Sequence, residues 1–171
     1  MKYFTIDELT ASATARKKGI KNVPNEEERL NLIALVAAIL DPLREKYGKP
    51  IFVTSGFRCA ALNKCVGGVT GSQHRKGEAA DIVSEESVQH RKGEAADIVA
   101  EEYAGNFELG RLIVESGQFD QVIFENCGKD NLLPQWIHVS WKRTGALRGN
   151  VLKRVKGEKI YRRVSRDEIL K

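Results

Sequence analysis

The chain has 171 residues, of which 42% are apolar and 30% charged, with a net charge of +5. This globular balance excludes wholesale disorder and collagen-like or low-complexity chains. Its longest apolar run, Leu32 to Leu40, has nine residues, too few to span a bilayer, so no membrane span is expected.

Met1 to Glu8 contains no apolar stretch of signal-peptide length and is already acidic at Asp7, which points to a cytoplasmic protein. Thr5 with Glu8 makes a capping-box pattern and Gly19 stands where a helix would stop, predicting one helix between them. Asn25 and the acids Glu26, Glu27 and Glu28 open the next, with Leu30, Ile33, Val36, Ala37, Leu40 and Leu43 at helical spacing as far as Tyr47-Gly48. Pro42 within that pattern predicts a kink or a split. Ile51 to Thr54 is a short β-rich run ended by Ser55-Gly56. A further helix is predicted from about Asn106 to Ser116, with Leu109, Leu112 and Ile113 facing inward. Strands Phe119 to Glu125 and Trp136 to Trp141 follow, joined by a polar loop. That order predicts an α+β fold, a small antiparallel sheet with flanking helices. Between Lys142 and Lys171 there are 11 Lys/Arg against three acids, a net of +8, while the preceding residues carry 17 against 20. A main domain over 1–150 and a basic C-terminal tail over 151–171 are therefore expected. Such a tail can hold an anionic cell-wall polymer by counterion release, although a solvated face has the same charge pattern. Nucleic acid is not expected as a partner, since no binding motif is recognisable and aromatics are 7%.

Gln73 to Val83 recurs without change as Gln89 to Val99, so 73–88 and 89–104 form a 16-residue duplication. Two copies are too few for a solenoid. Their identity implies a recent event, in which one copy works and the other is an insertion. Cys59, Cys65 and Cys127 are read as free thiols, because the first two lack the tight spacing of a zinc knuckle.

The histidines are His74, His90 and His138, and the first two are duplicates. There is thus one kind of His-x6-Asp element, His74 with Asp81 or His90 with Asp97, and one histidine on a late strand. Two imidazoles and a carboxylate that leave a fourth position for water form the catalytic pattern for zinc, whereas structural sites are closed by four ligands. A domain of this size needs no metal or disulfide to hold it together, so a metal site is free to serve catalysis. Gly77 permits a tight turn between the two ligands, and Ala79 is small enough to pack behind a metal. By itself the spacing is weak evidence for a metal, and exposed or core-satisfied histidines account for it better.

Ser72-x-His74-x-x-Gly77-x-Ala79-x-Asp81, with Ser55-Gly56-Phe57-Arg58 before it and Trp136-Ile137-His138-Val139-Ser140 after it, resembles the zinc D-alanyl-D-alanine carboxypeptidase family and its peptidoglycan L,D-endopeptidase relatives. The likeness spans roughly residues 5 to 150. It implies a hedgehog-like peptidase fold and one Zn2+ ion held by His74, Asp81 and His138. His74 and Asp81 are preferred over the duplicate pair because Val88 replaces the motif serine before His90. Arg58 is implied to bind the substrate carboxylate or the developing oxyanion, and Ser72 to take part in substrate binding. Where many relatives have a first histidine two residues before the last ligand, this chain has Trp136.

A general base is also needed. Some endopeptidase relatives carry a glutamate three residues before the last ligand, but here that position is Gln135, which leaves Asp120 and Glu125. On a strand these two acids point to opposite faces roughly 16 Å apart. A hairpin with Trp136 to Trp141 puts Glu125 opposite Trp136, one diagonal from His138. Glu125 is the expected base. The segment Phe119 to Glu125 also resembles the corresponding strand of the hedgehog signalling domain, whose glutamate there sits beside zinc.

The resemblance implies a zinc metallopeptidase that hydrolyses peptidoglycan stem peptides through a metal-activated water, as a carboxypeptidase or an endopeptidase, and the lack of a leader suggests a phage or prophage lysis enzyme. The alternative is a catalytically inactive binding module on the same fold that uses its basic tail to bind anionic polymer.

Overall fold

The computed structural model describes residues 1–85 and 99–171. Residues 89–98 of the second copy, His90 and Asp97 among them, therefore lie outside the described residues.

The predicted first helix is two. Helix α1 (Ile6–Thr10) is capped by Thr5, whose Oγ1 accepts from the Glu8 N–H at 3.2 Å. Ala11 is extended, and Ser12 caps a second helix, α2 (Ala13–Lys18), which ends at Gly19 in the left-handed region. The serine starts a second helix inside the span that the Thr5 cap and the Gly19 stop mark as one. The capping box at Asn25 and Glu28 is formed, with both reciprocal hydrogen bonds present, and opens α3 (Glu26–Leu35). A π-helical turn over Val36–Leu40 leads into α4 (Asp41–Tyr47), with Pro42 in its first turn. There the missing proline N–H costs least, and the wide turn before it accommodates the ring.

Strand β1 (Ile51–Ser55) is followed by α5 (Ala60–Cys65), a 3-10 turn over Gln73–Lys76 and β2 (Ala79–Ser84). Helix α6 (Val99–Ser116) starts well before the predicted Asn106. Next come β3 (Gln121–Cys127), β4 (Trp136–Ser140), β5 (Asn150–Val155), β6 (Tyr161–Arg163) and α7 (Arg166–Leu170). The fold is α+β, with a six-stranded sheet in the order β1-β2-β4-β3-β5-β6. The sheet is mostly antiparallel, as expected, but β5 runs parallel to β3.

Side-chain alternation gives the sheet two different faces. One carries Ala80, Ile82, Val122, Phe124, Ile137, Val139 and Val151, all in one core with Leu35, Leu40, Leu109, Leu112 and Ile113 of the helices. Phe119 belongs to this core and precedes β3 instead of lying within it. The other face carries Asp81, His138 and Ile123, which are neighbours in the pairing registers.

The segment read from its charge as a tail, 151–171, supplies most of β5, all of β6 and α7, and it buries Val151, Val155, Val164 and Ile169. Its lysines and arginines are interleaved with these apolar residues, so the charge count hides a strand.

Helix α6 crosses the sheet at Gly110, where an added Cβ would lie 2.5 Å from the Phe124 ring and 2.9 Å from Ile137. Gly110→Val is therefore expected to lower stability by about 2–3 kcal/mol, since it overpacks a filled core. Thermal or urea unfolding checks this.

Candidate metal centre

Two local features bring His74 to Asp81. The 3-10 turn that carries His74 closes at Gly77, whose φ is +71°, and a Cβ there would fall 2.3 Å from the Glu28 carbonyl oxygen. Only glycine fits, and the chain reverses directly into β2, where Asp81 sits opposite His138 in the antiparallel register. At Gly56 a Cβ would lie 2.1 Å from the Leu9 carbonyl oxygen. This close approach seats the end of β1 against α1 and directs the Gly56 carbonyl at His74.

His74 Nε2, Asp81 Oδ1 and His138 Nδ1 converge. The separations are 3.2 Å between the two ring nitrogens, 3.3 Å from His74 to Asp81, and 3.0 Å from His138 to Asp81. These three residues form a group able to hold a metal ion. The separations suit tetrahedral zinc, whose bonds of 2.0–2.1 Å place neighbouring ligands about 3.3 Å apart. The donor set of two nitrogens and one oxygen is also a zinc set. His74 Nδ1 donates to the Gly56 carbonyl at 2.7 Å, which leaves the Nε2 lone pair turned inward. Burial lowers the His74 pKa against the pull of Asp81, favouring the neutral imidazole that a metal requires. Burial by itself would raise the Asp81 carboxyl, but the two imidazoles outweigh it and hold the group well below its ordinary value.

Arg58 lies beside this group, with Nη2 3.5 Å from Asp81 Oδ2 and its backbone N–H donating to the His74 carbonyl at 3.1 Å. Among the described residues its buried Nε has no hydrogen-bond partner. A cavity of about 390 Å3 opens here, with Arg58 and Asp81 on one wall and Ser12, Thr14, Arg16 and Thr54 on others. Ser72 lines a different hollow, of about 450 Å3, with Glu28, Arg75 and Glu78.

Glu125 pairs with Trp136 in the β3–β4 register, the alignment expected from sequence, while His138 pairs with Ile123. It is buried, accepts from Arg154 Nε at 2.5 Å and lies 3.4 Å from the Tyr161 hydroxyl. Arg154 and Tyr161 face one another across β5 and β6. Neither stands out in the sequence, where Val151-Leu152-Lys153-Arg154-Val155 shows no alternation of apolar and basic residues. Asp120 has no solvent exposure. Its Oδ1 takes the Arg148 backbone N–H at 3.1 Å and Lys142 Nζ at 3.0 Å, and its Oδ2 takes the Arg148 guanidinium and Gln73 Nε2, the latter at 2.9 Å. Burial opposes ionisation of this carboxyl, but the Arg148 and Lys142 donors bring its pKa down to about 2.

The cysteines are unpaired, and Cys127 is buried with its thiol pushed up to about 11 by desolvation. None of them belongs to the metal-binding group.

A family model described as Peptidase M15 matches residues 2–140. No curated protein matches the chain.

Proposed function

The chain belongs to the peptidase M15 family, and from that premise we propose that it is a zinc-dependent hydrolase of peptidoglycan stem peptides, of the D-Ala-D-Ala carboxypeptidase or L,D-endopeptidase type. The observation that carries this reading is the convergence of His74, Asp81 and His138 within zinc-ligand distance of one another beside an open cavity. A bound zinc ion would supply Lewis-acid polarisation of the scissile carbonyl and lower the pKa of the attacking water.

The chain's own residues supply the rest. Arg58, at the cavity wall with an unpartnered Nε, would donate to the oxyanion as charge develops on it, or to a substrate carboxylate. Glu125 would take the proton of the attacking water and pass it to the leaving amine. Two placements support this role: its strand parity with His138, and its hold by Arg154 and Tyr161, which orients the carboxylate. Asp120 is saturated by Arg148, Lys142 and Gln73 and has no proton-accepting geometry left for a substrate.

The test is cleavage of defined stem peptides by the zinc-loaded chain. One substrate should end in D-Ala-D-Ala and another should carry the internal L,D bond. Release of D-alanine or of a new amine is expected, abolished by a chelator and restored by zinc. A zinc-loaded chain that leaves every stem peptide intact, yet binds anionic wall polymer with a steep salt dependence, would instead establish the binding-module reading.

A further inference from the structure

Asp120, Gln73 and His138 form a chain of contacts whose polarity is set from one end. Asp120 is fully buried and ionised against Arg148 and Lys142. A carboxylate has no proton to give, so both its oxygens can only accept. Gln73 must therefore present its amide nitrogen, and Nε2 donates to Asp120 Oδ2 at 2.9 Å. The amide is then oriented, with Oε1 on the opposite side, 3.5 Å from His138 Nε2. An amide oxygen also can only accept. Asp81 Oδ1, 3.0 Å from Nδ1, can accept as well; once that carboxylate is engaged by a metal ion, the Gln73 oxygen is the acceptor left to the ring, which places the proton of the neutral imidazole on Nε2 and the lone pair on Nδ1. Nδ1 is the atom that lies 3.0 Å from Asp81 Oδ1 and 3.2 Å from His74 Nε2. At 3.5 Å the contact is at the long end for a hydrogen bond and supplies direction more than energy.

We propose that Gln73 is a positioning residue of the metal centre, the link through which Asp120 sets the tautomer and ring orientation of His138 so that Nδ1 is presented to the ion. This rests on the reading that His74, Asp81 and His138 hold zinc. It does not depend on which bond is cleaved or on the role of Glu125. The anchor of the link, Lys142 and Arg148, lies beyond the residues 2–140 that the family model matches. The connection between β4 and β5 thereby contributes to the centre without touching it. On the other ligand the Gly56 carbonyl performs the equivalent task directly, by accepting from His74 Nδ1. The two imidazoles are thus fixed in opposite tautomers, one by backbone and one by a side-chain relay.

The experiment uses Gln73→Met in the full chain, a near-isosteric change that removes both amide functions. Zinc affinity is measured on stripped protein by competition with a chromophoric chelator. Loss of a partner beyond the ligands typically weakens metal binding by 10–100-fold, and a rise of about that size in the zinc Kd is expected. Thermal unfolding of the metal-free variant should stay near that of the unaltered chain. In a His138→Ala background the same substitution should change the residual zinc affinity by less than about twofold, because its action passes through that ring. A Gln73→Met chain that binds zinc as tightly as the unaltered one overturns the inference. So does an equal loss in the His138→Ala background, which would mean a general structural effect. If the unaltered chain binds no zinc, the metal-centre reading fails along with it, so the two failures are distinguishable.

Discussion

Glu125→Ala is expected to keep its zinc and lose roughly 10^2–10^4-fold in turnover, the usual span for removing a general acid–base group. The carboxylate lies on the sheet face that carries Asp81 and His138, and its pairing partner Trp136 is two residues along β4 from His138. It is not among the three residues that converge on the ion position, so its removal leaves the donor set whole. The fold should tolerate the change. Arg154 loses its partner, but its side chain is 25% exposed and can turn to water, so the penalty for an unpaired buried charge is largely avoided. Metal content measured beside stem-peptide cleavage separates the two effects. A variant that retains zinc and turns over within tenfold of the unaltered chain would remove Glu125 from the mechanism. Loss of zinc would instead make it part of the metal shell.

The second large effect concerns the duplication. His74→Ala is expected to empty the zinc site, and His90→Ala to leave it filled at about one ion per chain. The two histidines sit in identical eleven-residue segments, so local sequence cannot separate them. Three long-range contacts attach the first copy to its place: the Gly56 carbonyl on His74 Nδ1, Asp120 on Gln73, and the pairing of Asp81 with His138. Metal analysis of the two variants side by side decides the matter. An emptied His90→Ala chain with a filled His74→Ala chain would transfer the assignment to the second copy.

Much of the path to this site is legible without coordinates because it depends on near neighbours in the chain. Thr5, Asn25 and Glu28 cap helices through contacts three residues away, and the β-rich run at Ile51 and the pairing of Glu125 with Trp136 follow from side-chain alternation. What escapes is set by competition or by distance. Ser12 interrupts the span that the Thr5 cap and the Gly19 stop mark as one helix. Strand β2 is hidden because Ala79-Ala80 has little β character and is held by the strands on either side of it. Strands β5 and β6 are masked by their lysines and arginines.

Residue types and local spacing by themselves determined that two imidazoles and a carboxylate were available in a zinc pattern, and that the fold was α+β. Only the tertiary structure decided which ring nitrogens converge beside Asp81, that Asp120 is consumed by Arg148 and Lys142, and that Arg154 and Tyr161 hold Glu125. The physical reason is one of range. Capping and alternation are governed by backbone geometry over a few residues. The order of strands in a sheet is governed by the burial of a whole face, and a parallel neighbour such as β5 brings distant polar groups together at positions that no local spacing records.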